Sequence, residues 1–217
     1  MTEREHEDRD ATPDLAVGVG PHPQPWPSDA RLDPELLRDG DRRNVVDRYR
    51  YWRLDAIVAE LDTRRHEFAV AIENWHHDRN IGTVVRTANA FLAREVIIVG
   101  RRRWNRRGAM VTDRYQHVAH VASVAALRDH AARTGYVIVA VDNLPGAVAI
   151  ERTPLPRKAL LLFGQESGGL SDEARAAAVT VYSIAQYGST RSINAGVAAG
   201  IAMHAWIRQH AGPPPCS

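Results

Sequence analysis

Apolar residues recur along the chain in two rhythms. Residues 80–92 place Ile81, Val84, Val85, Ala88, Phe91 and Leu92 on one stripe, the 3.6-residue period of an amphipathic helix. Residues 68–72, 96–99, 136–141 and 159–163 are short and almost continuously apolar, as strands covered on both faces must be. Further helices are predicted at 44–64, with Val45, Tyr49, Trp52 and Ala56 in step, and at 123–133, stopped by Gly135. Two more follow at 171–178, with Ser171 as N-cap, and at 192–209. A last short strand is expected at 179–184. Strands alternating with helices imply an α/β fold with a mostly parallel sheet flanked by helices.

The ends follow neither rhythm. Five of the twelve prolines fall in residues 1–30, with Pro21, Pro23, Pro25 and Pro27 alternating. Such a segment offers no apolar period for a core and reads as a disordered tail. Residues 31–65 read as a helical extension, 66–210 as the main domain and 211–217 as a second tail. At 217 residues and 44% hydrophobic content the chain can bury a real core. No apolar run is long enough to span a membrane. The charged start MTEREHEDRD lacks the apolar stretch of a secretory signal. A single cysteine, Cys216, excludes an intramolecular disulfide framework. The expectation is a cytoplasmic protein.

Charge is divided unevenly. Residues 1–41 carry eleven acids against four arginines, whereas residues 42–217 carry fifteen acids against twenty-four bases. All basic residues but Lys158 are arginine, whose planar fork suits phosphate. Codon bias accounts for arginine excess equally well, so the basic body points only generally to nucleic acid.

The familiar nucleotide fingerprints are missing: there is no G-x-G-x-x-G after the first strand and no G-x-x-x-x-G-K-[ST]. Gly164-Gln165-Glu166-Ser167-Gly168 holds its serine one place late for a nucleophile elbow. His66-Glu67 has no second histidine four residues on. Trp75-His76-His77-Asp78 reads as a solvated loop rather than a metal site, and no metal is expected. Three segments say more. Residues 73–88 run from a strand end into the amphipathic helix, with Arg86 opposite its apolar stripe. Residues 160–170 lead a buried strand into a glycine-rich turn, and residues 184–198 form a polar loop opening the final helix. Each has a plain structural reading: a surface arginine, a tight connection, an N-cap at Ser192.

In this order, the three segments resemble the SpoU (TrmH-like) branch of the SPOUT RNA methyltransferases. The pattern N-x-G-x-x-x-R-[ST]-A is carried by Asn80, Gly82, Arg86, Thr87 and Ala88. The turn pattern G-x-E-x-x-G-h is carried by Gly164, Glu166, Gly169 and Leu170. The loop pattern is carried by Ile184, Gly188, Ser192, Ile193 and Asn194, with Ala185-Gln186 where the family has Pro-Met. The resemblance covers about residues 66–210. It implies a C-terminal trefoil knot and methyl transfer from S-adenosylmethionine to a ribose 2′-hydroxyl of tRNA or rRNA. Carried over by position, Arg86 would activate the hydroxyl, with Asn80, Glu166, Ser192 and Asn194 in support. Val141, Asp142, Gly164, Ile184, Gln186 and Ile193 would hold the cofactor. A homodimer is also implied, through the small residues of the final helix. Beside this site, Arg101, Arg102, Arg103, Trp104, Arg106 and Arg107 are candidates for RNA contact, combining phosphate forks with one stacking ring. The alternatives are an RNA-binding module that has lost catalysis, and a small-molecule nucleotide enzyme, which the missing phosphate loops disfavour.

Overall fold

The computed structural model describes residues 18–76, 80–165 and 168–212. The chain forms two compact units that divide between Ile57 and Val58.

The first unit is built on polar contacts. Helix α1 (Pro34–Asp39) starts where the Asp33 carboxylate accepts from the N–H groups of Glu35 and Leu36. The chain then turns so that fully buried Asp41 accepts from the Arg43 side chain and from the backbone N–H groups of Arg43 and Tyr51. Two expectations fail here. Residues 18–30 are tied down, not structureless: Val19 pairs with Asp41, and the Tyr51 hydroxyl donates to the Gly20 carbonyl at 2.6 Å. The helix expected over 44–64 is broken, leaving a 3₁₀ turn at Asp47–Tyr49 and helix α2 (Leu54–Asp62). Tyr51, at φ 63°, sits in the left-handed region between them, which no continuous helix admits.

The second unit is a seven-stranded sheet, all of whose pairings are parallel. Its strands are β1 (Ala69–Asn74), β2 (Val96–Gly100), β3 (Val118–Val121), β4 (Val137–Val141), β5 (Val148–Ala149), β6 (Ala159–Phe163) and β7 (Thr180–Ser183). Their order across the sheet is β3-β2-β1-β6-β4-β7-β5. Parallel neighbours need crossovers, and helices α3 (Ile81–Ala90), α4 (Val124–Thr134), α5 (Asp172–Ala177) and α6 (Ala195–His210) lie among them. Strand alternation splits the core into two layers. Val70, Ile72, Leu161 and Phe163 face α3 and α6, and Ala69, Ala71, Leu160 and Leu162 face α4 and α5. Every residue of β1 and β6 is buried. Each large aliphatic side chain there contributes roughly 1.5–3 kcal/mol by leaving water. Two strands, β3 and β5, are absent from the sequence-based reading. Both lie at sheet edges, are only half-buried and are too short to show a period.

Because the strands are parallel, their C-terminal ends share one edge of the sheet, where ligands bind in open α/β folds. The chemistry-bearing segments leave from that edge.

Candidate functional site

The turn after β6 folds back on itself. Gly164 lies against the Gly169 peptide so closely that a Cβ would overlap the Gly169 carbonyl. Gly169, at φ 63°, adopts the left-handed conformation that glycine tolerates. Its N–H donates to the Gln165 carbonyl at 2.9 Å. The turn is fixed from two sides. Asp142, just past β4, accepts from the Leu170 N–H at 3.2 Å. Glu73, fully buried on β1, accepts from the Ser171 N–H at 2.8 Å, the Ser171 hydroxyl at 2.7 Å and the Trp75 indole at 2.8 Å. The Ser171 hydroxyl in turn caps α5.

The loop from β7 to α6 closes the other side. The Ala185 N–H, which a proline would lack, donates to Glu151 at 2.9 Å. Asn143 donates to the Arg191 carbonyl at 3.3 Å. Asn194 caps α6 by accepting from Gly196 and Val197, and its amide donates to the Asn80 side chain at 2.9 Å. That last bond joins the start of α3 to the start of α6. Burial pushes the Tyr182 phenol up, and its hydroxyl donates to the Pro154 carbonyl.

These segments enclose a cavity of about 840 Å³ at the C-terminal ends of β4, β6 and β7. All six residues expected around a cofactor, Val141, Asp142, Gly164, Ile184, Gln186 and Ile193, line it, as do Ser192 and Asn194. Asn80 reaches its edge through Asn194. Glu166 lies outside the described residues, as do His77 and Asp78. Arg86 is exposed on α3 and is not part of the lining. It shares a helical face with Thr83 and Thr87, against which Gly196 and Gly200 of α6 pack. Among the described residues no cluster of three metal-ligating side chains occurs, and no helix is long and apolar enough to cross a membrane.

The cavity's chemistry is mixed. Val141, Leu144, Phe163, Ile184 and Ile193 give it apolar walls. Gln165 and Gln186 each hold a buried side-chain oxygen with no partner among the described residues. An unpaired buried acceptor is costly, so the site suits a ligand with an apolar ring system and N–H donors. Gln165, Glu73 and Glu151 are absent from the sequence-based site. Nothing about their spacing sets them apart from ordinary surface or strand-end residues.

The arginine loop leaves β2 on the same edge. Arg101, Arg102, Arg103, Arg106 and Arg107 are exposed, and Trp104 is half-buried. Its base is held by Asn74 at the end of β1, whose amide donates to the carbonyls of Arg101 at 2.7 Å and Arg103 at 3.0 Å. At its far end Gly108 meets Gly82 of α3 with no room for a Cβ at position 82.

The family model of SpoU rRNA methylases matches residues 67–204, which contain all three motif segments and the whole cavity lining. The chain belongs to the SpoU rRNA methylase family. An uncharacterized tRNA/rRNA methyltransferase of Mycobacterium ulcerans is 33% identical over 162 residues, covering 71% of this chain and 51% of the relative. The chain thus spans about half the length of that curated relative. The tRNA (guanosine(18)-2′-O)-methyltransferase of Escherichia coli K12 is 27% identical over 71% of this chain and 69% of its own. Among solved structures, a SpoU methyltransferase from Streptomyces viridochromogenes in complex with AdoMet superposes with a TM-score of 0.60. It shows 27% identity over 67% of this chain and 58% of its own. Where the loop pattern of the resemblance would place a proline, the Ala185 N–H is instead held by Glu151.

Proposed function

We propose that the protein transfers the methyl group of S-adenosylmethionine to a ribose 2′-hydroxyl of structured RNA, either tRNA or rRNA. The observation that carries this reading is the single cavity on which the turn at 164–170, the loop at 184–194 and, through Asn80, the start of α3 converge. Its apolar walls suit an adenine ring, and the unpaired oxygens of Gln165 and Gln186 suit the adenine amino group and the ammonium of the methionine end. The solved relative bound to AdoMet supports the same occupant.

When bound, the cofactor supplies a methyl group already activated by its sulfonium. The protein aligns the two reactants and makes the 2′-oxygen nucleophilic. Arg86 is the residue proposed for the second task. A guanidinium offers a planar two-donor fork and stays protonated in proteins. It therefore lowers the cost of negative charge on the oxygen as the hydroxyl proton passes to solvent, beside the RNA phosphate. Asn194 and Asn80 act as positioning residues, holding α3 against the cavity's rim.

Arg86 stands outside the cavity of its own subunit, which supports a homodimer in which a second copy completes the site. On α6, Val197 and Ile201 are 54% and 39% exposed, an apolar pair one helical turn apart. The double variant V197E/I201E is expected to sediment as a monomer; an unchanged sedimentation coefficient would remove the dimer from the proposal. The knotted crossover implied by the family resemblance belongs to the same reading.

The decisive experiment measures transfer of labelled methyl from S-adenosylmethionine to total RNA, alongside a calorimetric cofactor titration. Arg86→Ala should reduce single-turnover transfer by about 10²–10⁴-fold. It should leave cofactor affinity and melting temperature unchanged, since the side chain is exposed. Arg86→Lys should not rescue, because an ammonium lacks the fork. A wild-type protein that binds cofactor but methylates no RNA would establish the binding-module reading in its place.

A further inference from the structure

A second cavity, of about 610 Å³, opens beside the outermost strand β3. Its size is ordinary for a small-ligand site, and no motif residue lines it. Ile98 of β2 and Val118 of β3, on the sheet face toward α3, line it together with Ala119, which belongs to the opposite face. Arg102, Trp104 and Arg106 of the arginine loop line it as well. Trp104 is half-buried, packing one side against the core that faces α3, with the Arg106 guanidinium 5.6 Å from its ring centroid. Arg106 is also paired with Asp113 at 3.3 Å, so Arg102 adds positive charge beyond that pair.

Two histidines and the buried Gln116 complete the lining. The His120 Nε2 lies 2.8 Å from the Gly100 carbonyl. A carbonyl only accepts, so this nitrogen carries the proton, and in the neutral ring Nδ1 remains an acceptor. His117 lies 2.8 Å from Asp62, with half its side chain open to solvent. The cavity therefore offers an aromatic ring, the Arg102 guanidinium, the Arg106–Asp113 pair and fixed ring nitrogens. A bare anion has no use for the indole, and an apolar ligand has none for the arginines. A nucleotide uses all of them.

We propose that this cavity holds one nucleotide of the RNA other than the one methylated, its base against Trp104 and its phosphate on Arg102 and Arg106. The proposal rests on the reading of the chain as an RNA methyltransferase and adds a second, separate point of contact. The nearest lining strands of the two cavities, β2 and β6, are separated only by β1. That is at least two strand spacings, or roughly 10 Å and upwards, a distance spanned by several nucleotides of one strand. The second nucleotide would fix the register of the strand while its neighbour is presented to the methyl donor.

The test uses wild-type protein and single-stranded RNA carrying 5-iodouridine at one position at a time, irradiated and mapped by mass spectrometry. The expected result is a crosslink to Trp104, His117 or His120 from one position a few nucleotides from the methylated one. Crosslinks confined to other parts of the chain would overturn the proposal. In parallel, tryptophan fluorescence follows titration with hexauridylate and with uridine 5′-monophosphate. Hexauridylate is expected to quench and to bind at least about 10-fold more tightly than the monophosphate, and W104F should lose the quench. R102A/R106A should weaken hexauridylate binding about 10-fold and lower its salt slope by about one. Equal affinity for the free monophosphate would overturn the RNA assignment and leave a free-nucleotide site. The two readings separate cleanly. Methyl transfer without crosslinks in this cavity removes only the present proposal, whereas crosslinks at Trp104 without any transfer remove the catalytic reading and leave the nucleotide site standing.

Discussion

Asn194 performs two tasks with the two ends of one amide. Its oxygen accepts from the Gly196 and Val197 N–H groups, and its nitrogen donates to Asn80. Substitution can separate the tasks. Asn194→Ala removes both and should cost about 1–2 kcal/mol, near the sum of a lost cap and a lost side-chain bond. Asn194→Asp keeps the cap and turns the Asn80 contact into two facing acceptors. The aspartate variant is therefore expected to melt close to wild type in thermal denaturation, yet to lose methyl transfer nearly as fully as the alanine variant. Equal stability losses in both would mean that the cap contributes nothing. The sequence makes Asn194 conspicuous through its motif, but not its partner. Asn80 is 114 positions away, and only the sheet brings the two helix starts together.

At the level of elements, α3 and the four buried strands are legible because each buries a complete stripe or run, and burial imposes the period. What polar groups organise is not legible. The break in the helix expected over 44–64 comes from Asp41, whose carboxylate takes the Tyr51 N–H away from helical bonding. No glycine or proline announces it. Glu73 is hidden in the same way: it looks like the polar end of an apolar strand, yet it ties β1 to the start of α5 through two hydrogen bonds from Ser171 and holds the Trp75 indole with a third. In Glu73→Gln one of the two accepting oxygens becomes a donor facing other donors. The variant should lose about 2 kcal/mol in chemical denaturation, with the amide of Ser171 gaining exchange with solvent. An unchanged denaturation midpoint would show that the Ser171 and Trp75 contacts carry no net energy.

For the molecule as a whole, the two units rest on different physics and so respond differently to acid. The sheet unit has two apolar layers and little to titrate within them. The N-terminal unit centres on Asp41. Burial pushes this carboxyl up, but hydrogen bonds from Arg43, and from the backbone of Arg43 and Tyr51, outweigh it and hold the group at about 2. That is below the roughly 3.9 of an unfolded aspartate. The resulting stabilisation, about 2 kcal/mol, is fully present above pH 4 and is lost as the pH falls towards 2. Hydrogen exchange at the Arg43 and Tyr51 amides, taken relative to the intrinsic rate at each pH, should rise through that window. In Asp41→Asn it should be high already at pH 7 and flat with acid. A wild-type profile flat between pH 4 and pH 2 would remove Asp41 as the unit's acid-sensitive group.

The grip of Asn74 on the arginine loop carries a consequence of another kind. It holds main-chain carbonyls, which every amino acid possesses, and leaves the side chains at positions 101 and 103 uncommitted. On the proposed function, point changes at these positions alter RNA preference without altering how the loop is held. One RNA target can then be exchanged for another by single substitutions, each folding as well as the last.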